Sequence, residues 1–314
     1  MHSFLGVAVS LAVFGLLYSG LSLLVNCAWK PLARACHGRS ASFTSGLLFT
    51  LRVLPFLTAV AITLFITLPS FLLLEPTASD EPLGIAPFVL ACGCCVLLVL
   101  GTMRAVTAQR RTSRALAAWL RGATSLRSSS DVPVYRTAEE SPALMVAGVC
   151  APKVIVSGAA VATLTDDEFR SALRHEIAHV RRHDNLKKLL FRFCYWPGMG
   201  ELEGRWSESA ELAADDAAVS TEQDALDLAA ALIKVSRLVA QPNPELTTGL
   251  LQPPTPSVSA RVQRLLIWGN LARPENFPAW RYILPPVCLS MLALVMSYGS
   301  ILAQMHEFTE WLVR

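Results

Sequence analysis

Two histidines and one glutamate are spaced so that they can hold a metal ion and use it. His175, Glu176 and His179 form the pattern H-E-x-x-H. Residues four apart share one face of a helix, with Cβ atoms roughly 5–6 Å apart, so the two imidazoles can bind one ion. Glu176 lies about 100° further around the helix and can reach a metal-bound water without ligating the metal. The spacing predicts hydrolysis in which a zinc ion, Zn2+, acidifies water and Glu176 takes the proton as general base.

A third metal ligand is available further along the chain. A catalytic zinc site needs three protein ligands and one open position. Glu211 and Asp215 are one turn apart in an alanine-rich helical stretch and face the same way. We predict that Glu211 completes a site with two histidines and one glutamate. Asp215 can accept the free ring N–H of a ligand histidine and so set its tautomer, whereas Glu208 and Asp216 are interpreted as a solvated acidic face.

The residues just before the motif indicate that it lies on a helix. The Thr165 hydroxyl can cap a helix, and Glu168 follows three residues later, which is the capping-box pattern of a helix start. The alternative interpretation of so short a motif is an amphipathic helix whose His and Glu side chains face solvent. The capped helix and the available third ligand favour the metal site.

Short apolar segments before this helix predict a small β-sheet. Residues 132–135 and 153–156 are rich in β-branched side chains, and 143–149 is a candidate third strand. A sheet edge beside the metal would bind an extended peptide through main-chain hydrogen bonds. A sheet that only supports the helix is the alternative, and the two roles are compatible.

The composition is that of a membrane protein. Of 314 residues, 53% are hydrophobic and only 16% are charged, whereas a soluble domain is roughly 45–50% apolar and about 25% charged. A bilayer span takes about 20 apolar residues, and four windows are long enough: about 4–25, 53–74, 83–103 and 281–304. The first window lacks the basic start of a cleaved signal peptide, so we expect it to be retained. No window has an ionisable residue in its interior, which disfavours a transporter.

Charges in the predicted loops set the orientation of these spans. Basic residues without any acidic ones follow the first span, and the same is true after the third span, from Arg104 to Arg127. In the loop at 75–81, by contrast, all of the charged residues are acidic. Loops rich in Lys and Arg stay on the cytoplasmic side, so both termini are expected to be extracytoplasmic. The stretch from Arg104 to Arg127 extends the third span, lies on the inner leaflet or forms a solvated helical neck. The arginines follow membrane boundaries and the net charge is only +3, which argues against direct nucleic-acid binding.

The sequence therefore divides into four predicted parts. Residues 1–103 form a membrane region with three transmembrane helices, and 104–280 form a cytoplasmic zinc metallopeptidase domain. Residues 281–304 form a fourth transmembrane helix, and 305–314 form a short extracytoplasmic tail. We expect a multi-pass protein of the cell (inner) membrane, in contact with the lipid bilayer.

These motifs and this layout together resemble one known family. The run 132–185, which includes the zinc motif and ends in Arg181-Arg-His-Asp184-Asn185, is similar to the cytoplasmic peptidase domain of BlaR/MecR-type membrane metallopeptidases. The resemblance covers nearly the whole chain, because three spans, a cytoplasmic domain and a fourth span follow in the same order. It implies a mostly α fold: four transmembrane helices plus a cytoplasmic α+β gluzincin-like metallopeptidase domain with a small β-sheet.

The resemblance also implies residue roles and a function. His175, His179 and Glu211 would be the metal ligands, Glu176 the base, and Asp215 a residue that orients a ligand. Asp184 would also orient the site. The alternative interpretation, given equal weight, is that Asp184 is only a polar residue at a helix end. Members of the family cleave a cytoplasmic transcriptional repressor in signal transduction, and some cleave themselves. We therefore expect a zinc metalloendopeptidase with a protein substrate and consider a homodimer plausible.

The sequence departs from the β-lactam sensors of this family. Those sensors carry an extracellular penicillin-binding domain with a Ser-x-x-Lys nucleophile. No lysine in this sequence has a serine three positions before it. The expected input is therefore a partner protein, the outer loop at 75–81 or the membrane itself.

Two other functions remain as alternatives. A quality-control protease of the CAAX-protease/HtpX type shares both zinc motifs but has two spans between the zinc helix and the third ligand. The interval 184–206 is too short and too charged for two spans. A catalytically inactive signalling scaffold is disfavoured because every expected catalytic residue is present.

Overall fold

Helices dominate the computed structural model. It describes residues 2–35, 38–74, 84–126, 132–137, 143–238, 247–249, 258–268 and 296–313. Two compact units are present: the first comprises Met1–Ala28, Val53–Leu100 and Pro274–Arg314, and the second comprises Trp29–Arg52 and Gly101–Arg273. The predicted loop at 75–81 and most of the predicted fourth span, 281–295, lie outside the described residues.

Three long apolar helices coincide with the first three predicted spans. The helices of the N-terminal hundred residues are α1 (His2–Ala35), α2 (Ala41–Ile62), a π-helical turn (Thr63–Thr67), α3 (Leu68–Leu74) and α4 (Ile85–Trp119). Among the described residues, the segments Gly6–Arg34, Ala41–Leu74 and Ile85–Trp119 are long and apolar enough to cross a membrane. Three of the four predicted windows thus coincide with helices that could span a membrane.

The third of these helices is longer than a bilayer requires. The 35 residues of α4 extend about 52 Å at a rise of about 1.5 Å per residue, against roughly 30 Å for the hydrocarbon core. The predicted basic stretch that begins at Arg104 continues this helix as far as Trp119. The first sixteen residues of the basic stretch, 104–119, are therefore an extension of the apolar helix.

The first unit is held together by aromatic packing and by polar contacts to the C-terminal helix. Phe14, Tyr18 and Phe56 pack with ring centroids 5.5–5.8 Å apart. The C-terminal helix, α11 (Tyr298–Val313), begins with the Tyr298 hydroxyl donating to the Phe65 carbonyl at 2.6 Å. The predicted tail at 305–314 is thus helical up to Val313.

The second unit contains a small mixed sheet. Its strands are β1 (Thr124–Leu126), β2 (Val134–Thr137), β3 (Leu144–Ala147), β4 (Lys153–Ser157) and β5 (Thr247–Gly249), in the order β1-β2-β4-β3-β5. The β2–β4 pair is parallel and the other pairs are antiparallel. The three predicted strands correspond to β2, β3 and β4. β3 is paired on both sides, because β5 occupies the position beside it.

Among the described residues, six helices lie wholly within this unit. They are α5 (Gly158–Thr163), α6 (Asp166–Arg181), α7 (Asp184–Phe193), α8 (Gly200–Ala218), α9 (Glu222–Ser236) and α10 (Val258–Leu266). The predicted capping box opens α6: the Thr165 N–H donates to Glu168 at 2.8 Å, and the Glu168 N–H donates to the Thr165 hydroxyl at 3.3 Å. The apolar side of α6 packs with α9 and with β2, β3 and β4 in one core, which leaves the polar side of α6 to face α7 and α8.

The basic segment after the first span packs in this unit, against the start of α8. Lys30 pairs with Glu201 at 2.7 Å, and Arg52 pairs with Glu203 at 3.0 Å. Arg52 is 1% exposed and also donates to the Phe191 carbonyl at 3.3 Å. These contacts hold the first turn of the helix that carries the predicted third ligand.

Candidate metal centre

The three predicted ligands meet in the interior of the second unit. The two Nε2 atoms of His175 and His179 are 3.2 Å apart. His175 Nε2 lies 3.5 Å from Glu211 Oε2, and His179 Nε2 lies 3.5 Å from Glu211 Oε1. The three residues are at most 2% exposed. Their nitrogen and oxygen atoms thus form a compact triangle that could hold a metal ion.

This triangle has the dimensions of one face of a zinc tetrahedron. Zinc–nitrogen and zinc–oxygen bonds of roughly 2.0–2.1 Å place neighbouring ligand atoms about 3.3 Å apart. The observed separations of 3.2 and 3.5 Å bracket that value. Two imidazole nitrogens and one carboxylate are also a donor set of catalytic zinc sites, so the residues present fit such an ion.

Two helices bring these side chains together. The histidines lie one turn apart on α6, so their rings leave the helix on the same side. Glu211 comes from the middle of α8, which packs against α6. Small residues on α8, Ala210, Ala213 and Ala214, are buried and allow the two helices to approach closely. The local sequence accounts for the histidine pair, and helix packing accounts for the third member.

Glu176 is buried beside this triangle. It is 0% exposed, and neither of its carboxylate oxygens has a hydrogen-bond partner within the described part of the chain. A buried acceptor without a partner is costly, so the site favours a donor there, such as a bound water. Burial raises the pKa of Glu176 to about 7, although His175 and His179 oppose the shift. A carboxylate with a pKa near neutrality is suited to general-base work.

Asp184 orients the ring of His179. A tight turn at His183, whose φ is 55°, joins α6 to α7 and places Asp184 at the start of α7. Asp184 Oδ2 lies 2.8 Å from His179 Nδ1 and can accept its ring N–H. Lys187 lies 3.0 Å from the other carboxylate oxygen. Burial opposes ionisation of Asp184, but His179 and the nearby cations Lys187 and Arg182 hold its pKa below the usual value.

Asp215 occupies the corresponding position for the other histidine. Asp215 Oδ1 lies 3.0 Å from His175 Nδ1, although the approach does not meet the angle of a well-aligned hydrogen bond. Each ring therefore presents Nε2 to the triangle and Nδ1 to a carboxylate. This is the arrangement in which a carboxylate selects the tautomer that leaves Nε2 free for a metal.

Arg261 is a part of the site that the motifs did not reveal. It lies on α10, is 1% exposed, and binds Asp215 through two nitrogens, at 2.8 and 2.5 Å. A third nitrogen lies 3.2 Å from Glu211 Oε2. The sequence did contain a signal: Val258, Arg261, Val262 and Leu265 follow the spacing of a buried helix face, so an arginine there requires a buried anionic partner.

The charges around the triangle are strongly coupled. Burial opposes protonation of His179, but Glu211 and Asp184 raise its pKa well above the ordinary value. Burial lowers the pKa of Lys188 on α7 to about 8, against the carboxylates of Glu211 and Asp184. In the metal-free protein, the carboxylates are therefore balanced by protons on imidazole and by Arg261.

The other two acids of this region do not join the triangle. Glu208 pairs with Arg205 at 3.0 Å on the exposed side of α8, which agrees with a solvated face. Asp216 is partly buried and pairs with Arg264 of α10 at 2.5 Å. Asp216 is therefore a contact between α8 and α10, in contrast to the predicted solvated position.

Comparisons with known proteins do not identify a family, so the functional information comes from the site itself. No family model matches this chain, and no curated protein matches its sequence. What the chain shows directly is a mostly helical protein with helices suited to a membrane, and a buried group of two histidines and one glutamate that could bind a metal ion.

Proposed function

We propose that this chain is a membrane-bound zinc-dependent endopeptidase. The observation that carries the proposal is the triangle of His175, His179 and Glu211 with an unpartnered, buried Glu176 carboxylate beside it. Zinc is the proposed ion because the donor set and the separations fit its tetrahedral geometry. A structural zinc site would have four protein ligands, whereas these three leave one position open.

The residues of the chain have distinct roles in the proposed hydrolysis. A bound zinc ion would acidify a water molecule and polarise the peptide carbonyl. Glu176 accepts the proton of that water on a carboxylate oxygen and returns it to the leaving amine. Asp184 and Asp215 keep the Nε2 atoms of the two histidines directed at the ion, and Arg261 holds Asp215 and Glu211 in place.

We further propose that the protein has the topology and role of the BlaR/MecR-type metallopeptidases. The support is the resemblance of the run 132–185, the three apolar helices and the basic loops beside them. In this proposal a fourth span follows the catalytic domain, both termini are extracytoplasmic, and a cytoplasmic transcriptional repressor is the substrate. Self-cleavage and a homodimer belong to the same proposal.

The connection between the zinc helix and the third ligand favours this role over that of an HtpX-like protease. Only α7, a helix of ten residues, lies between α6 and α8. Its exposed and half-buried positions include two lysines and an arginine, and its length is far below the roughly 20 residues of a span. A pair of spans at this point is therefore not part of the proposal.

Replacement of the general base tests the proposal. Cells that express the full chain, Glu176→Gln or Glu208→Gln would be compared by mass spectrometry of new protein N-termini. Glu208 is the matched control, because it lies on α8 and pairs with Arg205 on the surface. Loss of a general base lowers the rate by about 10²–10⁴-fold. We expect the products to disappear with Glu176→Gln and to persist with Glu208→Gln.

Metal content separates an enzyme from a scaffold. Purified Glu176→Gln should keep about one zinc per chain, because the ligands are unchanged, while cleavage is lost. A variant that cleaves as well as the wild type would refute the assigned base. A wild-type chain that binds no divalent metal would refute the proposed function as a whole.

A further inference from the structure

One face of the first part of α2 packs on the helices of the metal centre. Its contact positions are three or four residues apart in sequence, which places them on a single helix face: Ser42, Ser45, Phe49 and Arg52. Their partners lie at the end of α6, on α7 and at the start of α8, within the same unit. α2 is one helix from Ala41 to Ile62, so a displacement of this helix moves both serines.

Arg182 connects this face of α2 to the metal centre. It follows the last residue of α6, and its two terminal guanidinium nitrogens donate to the hydroxyls of Ser42, at 3.0 Å, and Ser45. Its Nε lies 3.6 Å from Asp184 Oδ2, which is too far for a hydrogen bond. This Nε is buried and has no hydrogen-bond partner among the described residues. A buried donor without a partner is costly, so the guanidinium gains a bond if it is free to move towards Asp184.

The Asp184 oxygen that faces Arg182 also holds the ring of His179. Oδ2 lies 2.8 Å from His179 Nδ1 and can accept its ring N–H. The other oxygen, Oδ1, accepts from Lys187 at 3.0 Å, and the Lys187 ammonium lies 5.7 Å from the centroid of the Phe49 ring of α2. Arg182 and His179 therefore face the same carboxylate oxygen, while the second oxygen is already bound.

A closer approach of Arg182 would weaken the hold of Asp184 on His179. A hydrogen bond between a guanidinium and a carboxylate is charge-assisted and is roughly twice as strong as one between neutral groups. It would turn the carboxylate and draw its negative charge away from the imidazole. A carboxylate partner fixes the ring of a ligand histidine and raises its basicity, and loss of such a partner costs about 10–100-fold in metal affinity. The His179 ring would then bind the ion less tightly.

We propose that Arg182 is a positioning residue of the metal centre and that the start of α2 sets its position. The inference rests on the proposed function and describes how the same site is regulated. While α2 is docked, Ser42 and Ser45 hold the guanidinium away from Asp184, and Asp184 keeps His179 directed at the ion. A signal that displaces α2 releases Arg182 towards Asp184 and weakens metal binding.

Removal of the two hydroxyls reproduces the effect of a displaced α2. The full chain in lipid nanodiscs would be stripped of metal with a chelator and titrated with cobalt, and binding followed by visible absorption. The double variant Ser42→Ala, Ser45→Ala should bind cobalt about tenfold more weakly, at the lower end of the range for an outer partner, because Asp184 itself is retained. Thr50→Ala is the matched control and should bind cobalt like the wild type. Thr50 is exposed on the same helix and donates to the Gly46 carbonyl at 2.9 Å.

Replacement of Arg182 separates this mechanism from a general loss of packing. With Arg182→Met there is no guanidinium to compete for Asp184. Adding Ser42→Ala and Ser45→Ala to that variant should then change the cobalt affinity by less than about twofold, as expected for uncoupled sites. Arg181→Met, at the exposed neighbouring position, should leave the effect of the serine changes intact. Melting temperatures of the metal-free variants would show that each one is folded.

The outcomes for this inference and for the proposed function are distinct. A serine double variant with the cobalt affinity of the wild type overturns the role of α2, and so does a loss of affinity that persists with Arg182→Met. Cleavage of a proteome-derived peptide library by the zinc-loaded wild type would be measured in parallel. A wild-type chain that binds cobalt but cleaves no peptide overturns the proposed function alone. A wild-type chain that binds no metal overturns both.

Discussion

Removal of Arg261 should destabilise the protein far more than removal of a neighbouring arginine. Arg261 lies within 2.5–3.2 Å of Asp215 and Glu211 through three nitrogens, and both Arg261 and Asp215 are 1% exposed. Arg261→Met leaves two buried carboxylates without this cation. Breaking a buried ion pair by removing one partner costs about 3–5 kcal/mol. We expect a loss of that size in the metal-free protein, where no ion replaces the charge.

Arg264 supplies the matched control on the same helix. It pairs with Asp216 at 2.5 Å, but the two side chains are 28% and 35% exposed. Ion pairs that solvent reaches contribute about 0–1 kcal/mol. Arg264→Met should therefore cost no more than about 1 kcal/mol, although it removes an arginine of the same helix with the same type of partner.

Thermal unfolding of the full chain in detergent, with a chelator present, measures the difference. One kcal/mol shifts the melting temperature of a domain of this size by roughly 2–4 °C. Arg261→Met should lower it by roughly 6–20 °C, and Arg264→Met by less than about 4 °C. The double variant Arg261→Met, Asp215→Asn should recover part of the loss, because one buried charge is gone. Equal shifts for the two arginines would refute the reasoning that burial gives Arg261 its importance.

Three further outcomes follow from the site. Asp184→Asn should weaken cobalt binding about 10–100-fold, because it loses the carboxylate that orients His179; unchanged cobalt spectra and affinity would contradict this. Cobalt binding should tighten as pH rises from 6 to 8, because the raised pKa of His179 means that the ion must displace a proton; a titration at several pH values in lightly buffered solution would detect that proton. Glu168, which accepts from Lys234 at 2.7 Å, has a folded pKa below its ordinary value of 4.5 despite partial burial. Its stabilising effect should be complete at neutral pH and should decline only as pH falls below 4.5, so the melting temperatures of the wild type and Glu168→Gln should converge in acid.

Features that depend on local sequence could be predicted. The start of α6 follows from a hydroxyl and a carboxylate three residues apart, Thr165 and Glu168, and the structure contains both of their hydrogen bonds. Apolar length similarly predicted three helices that could span a membrane. In both cases, the interactions that decide the outcome lie within one element or between that element and its solvent.

The strands and their pairing could be predicted only in part. The three predicted segments are strands, with boundaries shifted by up to two residues. The strand order and β5 could not be predicted. β5 is three residues long, and it pairs with β3 across about a hundred residues of sequence. So short a segment has no periodicity of its own, and its pairing depends on where the rest of the unit places it.

What the sequence by itself determined is the pair His175 and His179, with Glu176 between them, because helix geometry places them without help from the rest of the chain. Tertiary structure decided which carboxylate joins them. Of the six acids on α8, only Glu211 lies 3.5 Å from both imidazoles, because the packing of α8 on α6 turns that position inward. Tertiary structure also decided that Arg261, fifty residues beyond Glu211, balances this carboxylate. Charges far apart in sequence interact only after packing has brought their helices together.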